Sequence, residues 1–216
     1  SAKTYANRRP RTPAPRTFGI VRRMSEARDR VWEYEGERRA NFLRAAVVAL
    51  FYIVELINRH GLPGVAALVP QADVGPEFHL AATIVAVGWL VGAWGVHALL
   101  RARIFPSGLK YLTTGVDAAF LTALLGAADG SRSPLVSGYL LAVALAGLRM
   151  SLPLVRFSAA AAGLGFFVTE LSSQAFRPDL AFGWSRALVV FAAIGGMALI
   201  TGQTVRRART AAGGDA

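Results

Sequence analysis

Six apolar stretches, each about long enough to cross a lipid bilayer, occupy most of the chain between residues 41 and 205. A membrane-spanning helix needs roughly 20 mostly apolar residues, because the hydrocarbon layer is about 30 Å thick and a helix rises about 1.5 Å per residue. The stretches are continuously apolar, which favours helices over the alternating strands of a barrel. We therefore predict an all-α, integral membrane six-helix bundle with the spans Asn41–Asn58, Phe78–Leu100, Leu109–Ala127, Pro134–Met150, Phe157–Phe176 and Phe182–Val205.

The positions of the basic residues predict the orientation of this bundle. The chain carries 24 Lys and Arg against 13 Asp and Glu, a formal net charge of +11. The predicted spans place all of these Lys and Arg on the side of the two termini except Arg59, Arg132, Arg177 and Arg186. Because Lys and Arg are retained on the cytoplasmic side, we predict a multi-pass protein of a bacterial inner membrane with both termini cytoplasmic. We expect no nucleic-acid partner, since no basic stretch carries interleaved aromatic residues for base stacking.

The chain divides into four predicted regions. Residues 1–19 are basic and contain three prolines, which indicates a flexible arm. Residues 20–40 have apolar positions at helical spacing, which predicts a cytoplasmic amphipathic helix. The bundle follows over 41–205, and 206–216 form a short basic tail. The amphipathic helix either lies in the membrane plane and leads into the first span, or docks on a partner protein through Ile20, Met24, Val31, Trp32 and Tyr34.

Ionisable side chains inside the predicted spans are candidate functional residues, because each costs about 2.5–3.5 kcal/mol at bilayer depth on insertion scales. The alternating direction of the spans sorts them into two layers. The inner layer contains Asp117, Arg149 and His97, and we expect Asp117 to pair with Arg149, either to fix helix register or to act as a switch. The outer layer is a candidate small-ligand pocket made by Glu55, His79 and Glu170.

Small residues inside the spans are candidate helix-packing positions, because helices in lipid associate through close backbone contact. Gly88 and Gly92 form a GxxxG pair, and Gly195 and Gly196 lie in the middle of the last span. The sequence leaves open whether these contacts form within one chain or between chains.

Motifs for catalysis or metal binding are missing from the sequence. The chain has no cysteine, which excludes disulfides, thiolate nucleophiles and cysteine-ligated metals. It also lacks an HExxH pattern, a P-loop and a dinucleotide fingerprint. We therefore expect neither an enzyme nor a metal site, and no certain cofactor, while lipid or pigment contacts stay open.

Three segments carry a resemblance to a known family. They are residues 104–117, which end in Thr-Thr-Gly-Val-Asp, residues 133–140, and residues 146–157, which begin Ala-Gly-Leu-Arg-Met-Ser-Leu-Pro. Together they resemble the six-helix bacterial membrane domain that precedes adenylate or guanylate cyclase domains and some histidine kinases. The resemblance matches Tyr111 and Asp117 to an aromatic residue and an Asp of the third span, and Arg149 to a basic residue ending the fourth.

The resemblance implies a receptor whose last helix is normally followed by an output domain, and we expect this chain to act without one. A basic Arg206–Arg209 segment is followed only by a short tail. The resemblance therefore implies a bundle that acts through another polypeptide, or a fragment of a longer receptor.

Two functional hypotheses follow. The first is a non-catalytic accessory or scaffold subunit of a larger membrane assembly, of a respiratory or photosynthetic kind, which contacts lipids, pigments and other integral membrane subunits. The alternative is a stand-alone sensor bundle that binds a small ligand and regulates a separate cyclase or kinase.

The predicted orientation is testable because the chain has no cysteine, so that an introduced thiol is unique. We expect a thiol at Arg132 or Arg177 to react with an impermeant maleimide added outside intact cells, and one at Arg207 to react only after permeabilisation. Labelling of Arg132→Cys only after permeabilisation would overturn the orientation.

Overall fold

The computed structural model describes the backbone of residues 17–60, 76–104, 106, 108–180 and 183–214, and the side chains from residue 31 onward except 32, 33, 58, 76, 180 and 212–214 within these ranges. All regular structure in these ranges is helical, which confirms the all-α fold class. Most of the predicted flexible arm and the side chains of Ile20, Met24 and Trp32 lie outside the described residues.

The described residues form six α-helices. They are α1 (Thr17–His60), α2 (Pro76–Arg101), α3 (Leu109–Ala127), α4 (Ser137–Gly147), α5 (Leu152–Phe176) and α6 (Trp184–Gly214). Four of these helices contain a stretch long and apolar enough to cross a membrane, namely Tyr34–Ile57, Glu77–Arg101, Leu152–Phe176 and Trp184–Ala211. A shorter apolar helical stretch covers Pro134–Gly147.

Helix α1 runs without a break for 44 residues through the predicted boundary at residue 40. The sequence divides this region into a cytoplasmic helix and a first span, because its first half is charged and its second half is apolar. The structure shows one helix, and its contacts with the bundle begin before the boundary, since Glu37 and Ala40 are already buried.

Helix α5 begins five residues earlier than the predicted fifth span, at Leu152. Pro153 therefore lies in the first helical turn and not in the preceding link. A proline is well accommodated there, because its missing N–H would have no partner within the helix.

The largest core cluster is built from α3, α4, α5 and α6 around the fully buried Tyr139 and Phe166. Their rings meet edge to face with centroids 6.4 Å apart, and Phe166 packs in the same way on Phe191 at 5.2 Å. The Tyr139 hydroxyl lies 2.8 Å from the hydroxyl of Thr122. Helix α3 packs on α5 as well as on α4, and the pair α1–α2 joins this core through α3.

The predicted packing glycines do not mark close helix contacts within the chain. A Cβ atom added at Gly92, Gly195 or Gly196 would meet nothing within 4 Å, and one at Gly88 would lie 3.4 Å from the Phe120 ring. Among the described residues, Gly92, Gly195 and Gly196 therefore make no close contact with another helix of the chain.

The closest backbone approach that a glycine permits lies elsewhere, at Gly36. A Cβ atom at this position would lie 2.7 Å from the carbonyl oxygen of Leu148 and 2.8 Å from the Cα of Arg149. Because both neighbours are backbone atoms, they can move aside only if the turn after α4 moves.

We expect Gly36→Ala to lower the free energy of unfolding by about 1–3 kcal/mol, the usual cost of overpacking. Gly92→Ala is the matched control, since its new methyl group has open space and alanine is the better helix former by about 1 kcal/mol. Unfolding of each variant in detergent micelles, followed by circular dichroism, measures the difference. Equal stability of the two variants would contradict the close approach at Gly36.

Candidate functional site

The most distinctive polar feature of the structure is a buried ion pair between Glu37 of α1 and Arg149, which follows α4. The Arg149 Nε lies 2.7 Å from Glu37 Oε2, and its Nη2 donates a hydrogen bond of 3.0 Å to Glu37 Oε1. The exposed fractions of the two residues are 3% for Arg149 and 0% for Glu37. Both charges are therefore removed from solvent and depend on each other.

Two threonines of α3 complete the surroundings of the Arg149 guanidinium. Its Nη1 donates to Thr114 Oγ1 at 2.5 Å, and its Nη2 donates to Thr113 Oγ1 at 3.2 Å. The Thr113 hydroxyl also donates to Glu37 Oε1 at 3.4 Å. One guanidinium thus connects α1, α3 and the turn between α4 and α5.

Local backbone features bring this pair together. Gly36 lets α1 approach the backbone of Leu148 and Arg149, and Glu37 follows immediately with the carboxylate that Arg149 needs. On the other side, Met150 has a φ of 51°, so that the chain reverses directly after Arg149. The close approach and the ion pair are therefore two parts of one contact.

A second ion pair joins α1 to α3. The Arg44 Nε lies 2.8 Å from Asp117 Oδ1 and donates to Oδ2 at 2.9 Å. The indole Nε1 of Trp89, on α2, donates to the same Asp117 Oδ1 at 2.7 Å. One carboxylate therefore holds three helices.

Asn41 extends this second pair to the backbone of α2. It accepts a hydrogen bond of 3.0 Å from Arg44 Nη1 and donates one of 2.9 Å to the carbonyl oxygen of Ala93. We name the two pairs and their hydrogen-bonding partners the ionic cluster, which comprises Glu37, Asn41, Arg44, Trp89, Thr113, Thr114, Asp117 and Arg149.

The predicted pairing of Asp117 with Arg149 is wrong, although both residues belong to the cluster. Each of them instead pairs with a residue of α1, Arg149 with Glu37 and Asp117 with Arg44. The signal was present in the spacing: Glu37, Asn41 and Arg44 recur at i, i+4 and i+7, which places them on one helix face.

His97, predicted in the same inner layer, is exposed on the surface of α2. The structure therefore moves it from the interior of the bundle to the outside.

The predicted outer layer separates into two environments. His79 Nδ1 lies 3.6 Å from Glu55 Oε1, and the His79 ring stacks on Tyr52 with centroids 6.5 Å apart. Glu170 is fully buried and instead accepts hydrogen bonds from Gln174 Nε2 at 2.8 Å and from the backbone N–H of Gly183 at 3.1 Å. The structure thus brings Glu55 and His79 together, and Glu170 holds the residue before α6.

The described part of the chain contains no group of three His, Asp or Glu side chains placed to hold a metal ion. Of the predicted docking residues whose side chains are described, Val31 is exposed, whereas Tyr34 faces the bundle and donates to the carbonyl oxygen of Leu100 at 3.0 Å. Tyr34 is therefore a packing residue, which corrects its assignment to the docking surface.

Two cavities flank the Arg44–Asp117 pair. One of about 300 Å³ lies between α1, α3 and α4, and one of about 260 Å³ lies between α1, α2 and α3. Arg44, Trp89 and Asp117 line both, and most of the other lining side chains are apolar. Chemically, the cluster can neutralise charge and hold helices in register, and the cavities can admit apolar chains.

No family model, curated protein or solved structure matches this chain. The resemblance to the membrane domain of bacterial cyclases and kinases therefore stays a prediction. Of the residues that carry it, Asp117 and Arg149 belong to the ionic cluster, and Tyr111 packs edge to face on Phe157 with ring centroids 5.3 Å apart.

We expect Glu37→Gln to destabilise the protein by about 3–5 kcal/mol, because it leaves the Arg149 cation buried without its counter-charge. Glu35→Gln is the matched control: Glu35 lies two residues away on the same helix and makes a surface pair with Arg38 at 3.8 Å, worth about 1 kcal/mol or less. The unfolding midpoint in detergent measures both. A Glu37→Gln protein as stable as Glu35→Gln would show that the pair contributes nothing.

Replacing both charges, as in the double variant Glu37→Met and Arg149→Met, should restore most of that loss, since apolar residues of similar volume often substitute for a buried pair at little cost. A double variant less stable than Glu37→Gln would contradict this account, because it would show that neutralising both charges does not relieve the loss.

Proposed function

We propose that the chain is a six-span integral membrane protein without catalytic activity of its own, with both termini cytoplasmic, and that it is an accessory or scaffold subunit of a larger membrane assembly. The observation that carries this proposal is the open apolar surface of α2 and α6. Large side chains such as Trp94, Leu188 and Leu199 are exposed there. Gly92 and Gly195 lie on the same two helices with open space before them.

Small residues beside large apolar ones are the usual surface on which a second membrane helix packs. In lipid, burying apolar surface alone gives little association energy, since lipid chains are as apolar as the helix. A neighbouring helix gains instead from close backbone contact, and the glycines of α2 and α6 permit such contact without any change inside the bundle.

The ionic cluster supports a scaffold role. Its charges pair inside the bundle in two groups, one around Arg149 and one around Asp117, and buried polar contacts of this kind favour one arrangement of the helices. The faces directed outward are then free to bind neighbouring subunits, lipids or pigments on a rigid support.

The ends of the first and last helices support the proposed orientation. Helix α1 begins at Thr17 and its apolar stretch only at Tyr34, while α6 continues to Gly214 and carries the exposed Arg206, Arg207 and Arg209 near its end. Basic residues near both ends agree with a cytoplasmic location of each.

A second candidate function, a receptor-like sensor that regulates a separate cyclase or kinase, is favoured by a different observation. Both buried ion pairs include a residue of α1, and apolar cavities lie on two sides of the Arg44–Asp117 pair. A small ligand entering a cavity would act on α1, a helix that starts well before its apolar stretch.

The subunit proposal predicts that Gly195→Leu leaves the fold intact and removes a co-purifying partner. No atom of another described helix lies within 4 Å of the new Cβ, but the side chain fills the space that a neighbouring helix would occupy. Ala119→Leu, at an exposed position of α3, is the matched control. Mild-detergent purification from the native membrane, followed by identification of the co-migrating chains, gives the readout.

A protein that purifies without any stoichiometric partner in its unaltered form would overturn the subunit proposal. Loss of the same partner from Ala119→Leu and Gly195→Leu alike would show that the glycine surface is not the contact.

A further inference from the structure

A surface groove of about 680 Å³ lies where α1 and α2 pack together, at the end of the pair that carries Arg38, Arg39 and His97. Most of its other lining side chains are apolar, among them Phe42 and Trp94. We propose that this groove binds one anionic phospholipid, with the phosphate on the basic residues and an acyl chain along the aromatic ones.

The relative register of α1 and α2 places the basic and the aromatic side chains of the groove at two different positions along the helix axes. Tyr34 bonds to the carbonyl of Leu100, and Asn41 bonds to the carbonyl of Ala93, so that α1 and α2 run antiparallel with the same register at both contacts. His97, between Ala93 and Leu100, therefore lies at the level of residues 37 and 38 of α1.

One helical turn closer to the middle of the membrane, the side chains that line the groove change from basic to aromatic. Phe42 follows Arg38 by four residues, and Trp94 precedes His97 by three, so that each aromatic shares a helix face with a basic residue about 5 Å away along the axis. The exposed fractions of Phe42 and Trp94 are 73% and 72%. This order of a basic level and then an apolar level matches a phospholipid from headgroup to chain.

The charges around the groove favour an anionic headgroup. No Asp or Glu is among the described residues that line it. The nearby carboxylate of Glu37 is already paired with Arg149, and that of Asp117 with Arg44. Glu35 lies 3.8 Å from Arg38, but the Arg38 side chain is 65% exposed, and a surface pair of this kind is weak and easily exchanged.

The location of the groove selects a lipid over a soluble anion. It begins a few residues inside the apolar stretch Tyr34–Ile57 and near the end of Glu77–Arg101, where arginine meets headgroups and tryptophan is favoured. The inference rests on the membrane location of α1 and α2, which is also part of the proposed function. It does not depend on a partner protein.

The test is native mass spectrometry of the purified protein released from detergent micelles, titrated with phosphatidylglycerol or phosphatidylcholine of identical acyl chains. We expect phosphatidylglycerol to remain bound preferentially in a one-to-one complex. The double variant Arg38→Gln and Arg39→Gln should weaken its binding by about tenfold or more, because one arginine near an anionic headgroup accounts for about fivefold.

The matched control is the double variant Arg206→Gln and Arg207→Gln, which removes two adjacent exposed arginines from the end of α6 and should change the affinity less than twofold. All four side chains are exposed, and unfolding of each variant in detergent confirms that the fold is retained.

Three outcomes would overturn the inference. Equal binding of the two lipids would remove headgroup selectivity, and equal weakening by both double variants would indicate diffuse charge attraction. Competition by glycerol 1-phosphate at the same concentration as the lipid would indicate a phosphate site without acyl-chain contact. A protein that remains monodisperse in water without detergent would overturn the proposed membrane function as well, whereas the first three results leave that function standing.

Discussion

A charge buried among apolar helices must meet an opposite charge, and this requirement determines where α1 lies. Helix α1 supplies one residue of each sign, Glu37 and Arg44, and the rest of the bundle supplies the complementary Arg149 and Asp117. The two pairs lie about two helical turns apart on the same face. A slip of α1 by one residue would rotate that face by about 100° and separate both pairs at once. The cluster therefore specifies both the rotation of α1 about its axis and the position of α1 along that axis. Apolar packing alone constrains these two quantities only weakly.

Different kinds of contact hold the end of the bundle at Arg149 and the middle of the bundle. At the end of Arg149, polar side chains of α1 and α3 meet across short distances, and Gly36 removes the side chain that would keep the backbones apart. The middle of the bundle is an apolar core around Tyr139 and Phe166. Helices α2 and α6 keep large apolar faces outside both regions, and these faces are among the surfaces that a neighbouring molecule can reach.

Apolar runs were sufficient to predict the helices, because the length and continuity of a run need no knowledge of its neighbours. Helix α3 matches its predicted bounds to the residue. Pairings were not predictable in this way, since Asp117 has several candidate partners until it is known which helices are adjacent. Glu37 was missed for a second reason: a charged residue just before an apolar run resembles a cytoplasmic flank, and only its spacing from Arg44 shows that it faces the bundle. Likewise, the sequence shows that Gly195 is small, but it does not show whether another helix packs on that face of α6.

The unbroken course of α1 has a mechanical consequence. Its 44 residues amount to about 66 Å of helix, more than twice the thickness of the hydrocarbon layer. The apolar stretch Tyr34–Ile57 takes up about 36 Å of this length, and Glu37 and Arg44 both lie near its start. The 17 residues before Tyr34 add about 26 Å of continuous helix, so that a rotation of the first turns of α1 about its axis would reach Glu37 and Arg44 without crossing a break in the helix.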